Sequence, residues 1–94
     1  WERLPSLQIP RQGAAATVQG NAFYILGGET PDTGQAFGER FDLLSRTWAR
    51  IETPYPPSWN HLALLSDGWN LYAFGGRANT YLAVSERYQA SFRN

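Results

Sequence analysis

A chain of 94 residues suffices for one small domain; its eight basic residues balance eight acidic ones, and it has no cysteine. The balance excludes the basic field of a non-specific nucleic-acid binder and the polybasic signal for anionic membranes. The cysteine count excludes a disulfide framework, a thiolate metal site and a thiol nucleophile, and no apolar run approaches the ~18 residues of a membrane-spanning helix.

In chain order, Trp1-Glu2-Arg3-Leu4 alternates apolar and charged residues, as a half-buried strand does, and Pro5 ends it. The chain opens at Trp1 without an initiator Met, the expectation for a processed, excised or engineered piece. Turn chemistry at Pro10-Arg11-Gln12-Gly13 leads into Ala14 to Val18, small and β-branched residues too few for a helix and suited to a strand crowded near an axis. Gly20-Asn21 is a tight turn into Ala22-Phe23-Tyr24-Ile25-Leu26, an apolar run expected to be a strand covered on both faces, and Gly27-Gly28 ends it.

The polar stretch Glu29 to Ala36 reads as a loop, Phe37 to Leu44 resumes alternation, Ser45-Arg46-Thr47 turns the chain, and Trp48-Ala49-Arg50-Ile51 repeats the opening strand. The proline-rich Thr53 to Asn60 reads as a connector. Beyond it the pattern starts again. His61 to Leu65 matches Gly13 to Thr17, Asp67-Gly68 is a turn, Leu71 to Phe74 matches Phe23 to Leu26, Gly75-Gly76 matches Gly27-Gly28, and Arg77 to Tyr81 is the counterpart loop. Val84 to Ala90 is then the counterpart third strand.

The two Gly pairs are 48 positions apart, and Gly20/Gly68, Tyr24/Tyr72, Glu39-Arg40/Glu86-Arg87 and Trp1/Trp48 recur with them. A repeat of this length indicates a solenoid or propeller. The order of features resembles the kelch repeat: a Gly pair ending the second strand, an aromatic in the third, and a Trp after six intervening residues opening the fourth. Here these are Gly27-Gly28, Phe41 and Trp48, then Gly75-Gly76 and Tyr88. The resemblance covers the whole chain and implies an all-β fold of two four-stranded propeller blades. It divides the chain into a fourth-type strand of a preceding blade (1–10), a complete repeat (11–53) and a second repeat lacking its fourth strand (54–94). The expected completion is either head-to-tail homo-oligomerisation, with Trp1 supplying the strand that follows Asn94 of a neighbour, or a longer chain of which this is an excerpt. Three copies give a six-bladed ring and four an eight-bladed one.

Residues that recur at repeat spacing, Trp1, Tyr24, Gly27, Gly28, Phe41, Trp48, Tyr72, Gly75, Gly76 and Tyr88, are read as structural, and Glu39-Arg40 and Glu86-Arg87 as structural ion pairs bridging strands or blades. The non-repeating polar residues carry the functional expectation. By the same resemblance, Arg11, Tyr55, Trp59, Arg77, Asn79 and Tyr81 are candidates for a binding face around the central channel, with Glu29 and Asp32 as acidic counterparts. Kelch propellers include partner-binding modules, sugar-active proteins and a copper oxidase; the last depends on a Cys-modified Tyr, and this chain has no Cys. His61 is the only histidine, so neither a metal site nor a Ser-His-Asp constellation is expected. The reading is a non-catalytic interaction module for a protein, peptide or glycan, without cofactor. The alternatives are a mutarotase-like sugar enzyme and an engineered propeller fragment that self-assembles without a specific ligand.

Overall fold

The computed structural model describes residues 1–29, 37–54 and 59–89, and within them all regular structure is β. Four strands, β1 (Ala15–Gln19), β2 (Ala22–Leu26), β3 (Gly38–Asp42) and β4 (Thr47–Ile51), form one antiparallel sheet in sequence order. A second antiparallel sheet holds β5 (Ala63–Ser66), β6 (Asn70–Phe74) and, after a small hairpin of β7 (Arg77–Ala78) with β8 (Thr80–Tyr81), β9 (Ser85–Gln89). The expected repeat is thus present as two sheets built on one plan. Even irregular details recur 48 residues apart: the isolated bridge between Gln12 and Glu29 returns between Asn60 and Arg77.

Alternation assigns each side chain to a face. Pairing aligns Thr17, Tyr24, Arg40 and Ala49 across one face of the first sheet, and Val18, Phe23, Phe41 and Trp48 across the other. On the first face, Ala22, Tyr24 and Leu26 meet Trp59, Leu62, Leu64, Leu71 and Ala73 of the second unit, and this is the core. Leu71 is 1% exposed, and burying a leucine so completely contributes about 1.5–3 kcal/mol. On the opposite face an aromatic row runs across three strands, with Phe23 and Phe41 ring centroids 6.1 Å apart and Phe41 and Trp48 4.8 Å apart.

The Gly pair locks the two units together. Gly27 and Gly28 have φ of +74° and +97°, and a Cβ on Gly27 would stand 2.1 Å from the Trp59 carbonyl oxygen. Absence of that Cβ lets the Trp59 carbonyl reach in and accept a hydrogen bond from the Gly28 N–H at 2.7 Å. Nearer the inner strands, Gln19 of β1 accepts a 2.6 Å hydrogen bond from the Ser66 hydroxyl of β5 and donates to the Trp69 carbonyl.

Three departures from the sequence expectation have physical causes. Residues 1–7 form no strand, since among the described residues no strand pairs with them; they lie against the first sheet instead, with Pro5 O accepting from Trp48 Nε1 at 2.9 Å. The third strand stops at Asp42, whose Oδ1 accepts from the Leu44 and Ser45 N–H groups, so Leu43 and Leu44 lie in the turn. The stretch Arg77 to Tyr81, expected as a loop, is a tight hairpin pivoting on Asn79 at φ +70°.

Candidate functional site

The strand ends that carry the Gly pairs share one side of the molecule with the segments entering β1 and β5. There the first unit contributes Gln12, Gly13 and Glu29, and the second contributes Asn60, His61 and the hairpin of Arg77 to Tyr81. Asn60 and Arg77 exchange two backbone hydrogen bonds of 2.9 Å, which root the hairpin on the sheet. Its side chains face solvent: Arg77 and Asn79 are exposed, and Tyr81 is 89% exposed. At the repeat-equivalent position of Arg77 the first unit has Glu29, whose carboxylate accepts from Gln12 Nε2 at 3.1 Å. His61, also at positive φ, donates its backbone N–H to Gly13 O at 3.0 Å and lays its ring over Gly13.

The six candidate face residues divide. Arg77, Asn79 and Tyr81 come together on the exposed hairpin. Tyr55, with Asp32, lies outside the described residues. Arg11 and Trp59 are withdrawn from solvent, with 2% of the Arg11 side chain and 2% of Trp59 exposed. These two occupy the same slot in successive units: Arg11 Nη1 donates to Gly27 O at 2.8 Å, and Trp59 Nε1 donates to Gly75 O at 2.9 Å. Both tether the entry segment to the first glycine of the pair.

Arg11 has a second role that the sequence left unread. Its Nη2 lies 2.8 Å from the Glu39 carboxylate, which is wholly buried and also accepts from the Gln8 N–H at 2.7 Å. The guanidinium further sits over the Phe37 ring at 5.8 Å. The structural ion pair expected of Glu39-Arg40 is therefore made to Arg11. Adjacent strand residues point to opposite faces, so Arg40 turns away to Asp42 at 3.7 Å and to the Tyr24 hydroxyl. The 48-residue spacing that joins Arg11 to Trp59 was the available signal, but an arginine and a tryptophan do not look alike until their shared hydrogen bond is seen.

Two turn carboxylates are held below the usual aspartate range. Asp42 is lowered first by the backbone N–H groups of Ser45 and Leu44, and Asp67 by those of Asn70 and Trp69. Burial pushes the Tyr88 phenol up, with Tyr24 adding to it; the two rings lie 6.3 Å apart across the two sheets. Among the described residues no three of the His and carboxylate side chains gather as metal ligands.

Between the sheets a cleft of about 240 Å³ opens beside β9, with Ile51 to Pro54 on one wall, Glu86 and Tyr88 on the other and Trp59 among its lining. On the equivalent face of the first unit, Trp48 packs on Phe41, with ring centroids 4.8 Å apart.

The chain is 31% identical over 78 residues to Kelch-like protein 41b of Danio rerio, covering 83% of this chain and 13% of that protein. It is 28% identical over 98 residues to Kelch-like protein terF of Aspergillus terreus, covering 94% of this chain and 20% of that protein. The chain belongs to the kelch-repeat proteins. An F-box/kelch-repeat protein of Arabidopsis thaliana matches at 40% identity over 51 residues, 54% of this chain and 14% of that protein. The kelch-repeat chain therefore spans a fifth or less of the length of these three relatives. No family model matches it.

Proposed function

We propose that this chain is a pair of adjacent kelch propeller blades serving as a non-catalytic interaction module, with the Arg77-Asn79-Tyr81 hairpin as part of its partner-binding surface. The observation that carries the proposal is the exposure of those three side chains on one hairpin rooted by two backbone hydrogen bonds. An arginine, an amide and an almost fully exposed tyrosine make a surface suited to a protein or peptide, because Tyr and Arg supply much of the energy at interaction hot spots. The kelch relatives named above support a protein-interaction role.

The same proposal has the blade pair completed by further copies, head to tail, with three copies closing six blades. What supports this is the contrast between equivalent positions. Leu26 is 5% exposed beneath the second unit, whereas its counterpart Phe74 is 40% exposed; Leu65, on the same face as Phe74, is 60% exposed. The first unit's outward face carries Val18 at 53% exposed, with Phe23 and Ile25 partly buried. The second unit's outward face is thus the kind that a kelch blade covers in the first.

A peptide display screen and a glycan array, run on the full chain and on Arg77→Ala and Tyr81→Ala variants, test the binding surface. Peptide hits that both variants lose are expected. Hits indifferent to both substitutions, or enrichment of glycans alone, would contradict it.

A further inference from the structure

We infer that the open edge of β9 and the cleft beside it form a strand-docking site for Trp1-Glu2-Arg3-Leu4 of a second copy, in one defined register. This rests on the head-to-tail reading above and names the segment and contacts that reading requires.

The first unit supplies the template. There β3 has two neighbours, β2 and β4, and β4 pairs with it as Phe41↔Trp48, Arg40↔Ala49, Glu39↔Arg50 and Gly38↔Ile51. In the second unit β9 pairs with β6, and among the described residues no strand lies on its other side. An open strand edge is a template for adding an extended chain.

Trp1-Glu2-Arg3-Leu4 repeats the Trp-x-Arg-aliphatic pattern of Trp48-Ala49-Arg50-Ile51. Within its own chain Trp1 is fully exposed and the segment belongs to no strand. Its surface ion pair from Glu2 to Arg46, at 3.2 Å with both side chains half or more exposed, is a weak tether.

Transferring the β4 register sets Trp1 opposite Tyr88, Glu2 opposite Arg87, Arg3 opposite Glu86 and Leu4 opposite Ser85. Both charged positions meet their opposites, and like charges nowhere face each other. Cross-strand pairs of this kind favour one register over its neighbours.

The cleft fits the bulkiest residue of the segment. In the first unit the Trp48 ring packs on Phe41 at 4.8 Å and gives its indole N–H to Pro5 O. In the second, Tyr88 stands where Phe41 does, and Glu52 to Pro54 lies where the Pro5 segment does; both line the 240 Å³ cleft. Trp1 of the second copy seats there, its indole N–H directed at a carbonyl of the Glu52 to Pro54 segment. Leu26, Ile51, Leu64 and Leu71 supply apolar lining.

Because the chain has no cysteine, the register can be read by a single engineered disulfide. Directly opposed antiparallel residues have Cα atoms ~4.5–5.5 Å apart, within disulfide reach, whereas residues two positions out of register do not. The full-length Leu4→Cys/Ser85→Cys variant is oxidised and run on a non-reducing gel beside Leu4→Cys/Arg87→Cys. The expected result is a reductant-sensitive ladder of linked chains from the first variant only. In parallel, a peptide of residues 1–6 is titrated into full-length Trp1→Ala chain. Saturable binding is expected, weakened at least about 10-fold when the peptide's Trp is replaced by Ala. A particle heavier than one chain that gives no ladder from the first variant overturns the register while leaving self-association standing. A particle of one chain that binds the peptide saturably overturns ring closure and upholds the docking site. Equal cross-linking by both variants, or neither cross-linking nor peptide binding, overturns the inference.

Discussion

Replacing Arg11 by Ala removes two hydrogen bonds at once, the one to Gly27 O and the charge-assisted one to Glu39, each 2.8 Å long. It leaves a carboxylate that is 0% exposed with, among the described residues, the Gln8 and Ile9 N–H groups as donors, at 2.7 and 3.4 Å. Stranding one member of a buried ion pair costs about 3–5 kcal/mol, far more than the pair itself is worth against an apolar replacement. Against a total stability of about 5–15 kcal/mol for a small domain, that loss consumes much or all of the margin. Arg11→Trp is the informative partner variant, because Trp59 shows that an indole N–H can serve the Gly-pair carbonyl. It is expected to recover only that hydrogen bond, about 1 kcal/mol, and to leave Glu39 stranded. Urea unfolding followed by tryptophan fluorescence, at one fixed protomer concentration, measures both differences. A loss below about 1 kcal/mol for Arg11→Ala would refute the reasoning, since that is the range of an exposed pair.

Further outcomes follow from the same geometry. Gly27→Ala drives a Cβ to 2.1 Å from the Trp59 carbonyl and should prevent the two units from docking, whereas Gly20→Ala meets nothing within 4 Å and should cost only the positive-φ strain, about 1–2 kcal/mol; thermal melts of the two variants compare them. Asp42 and Asp67 both have folded-state pKa values lowered from 3.8, so the stability they contribute is present above their unfolded values and is lost as pH falls through the lowered ones. The Asp42→Asn/Asp67→Asn variant should accordingly lose less stability than the parent between pH 4 and pH 2, in acid titrations followed by circular dichroism. Leu65→Arg with Phe74→Glu charges the outward face of the second sheet, where both residues are exposed, and should abolish the proposed self-association while leaving the circular dichroism of each chain unchanged.

The strand plan was legible because it is written twice. A single apolar run such as Ala22 to Leu26 leaves helix and strand hard to separate, but its return 48 residues later with the same Gly pair sets both identity and order. Tyr24 could be read as structural for that reason, and it is 6% exposed beneath the second unit. The opening segment could not be placed, because a strand exists only beside a partner and the sequence does not say which edge is vacant. The division of the candidate face also escaped the sequence. Arg11 and Trp59 look like surface-binding residue types, and their burial depends on carbonyls brought near by the Gly pair and, for Arg11, on a carboxylate 28 residues away. The hairpin at Arg77 to Tyr81 was hidden because two-residue strands carry no periodicity, and Asn79 at positive φ was its one local mark.

The mass of the particle in solution tests most directly the proposal that further copies cover the outward faces and the β9 edge of the two kelch units. Size-exclusion chromatography with light scattering at micromolar protomer concentration should return a closed multiple of the 10.6 kDa chain, three copies in the first instance. A particle of 10.6 kDa that persists as concentration is raised would contradict it.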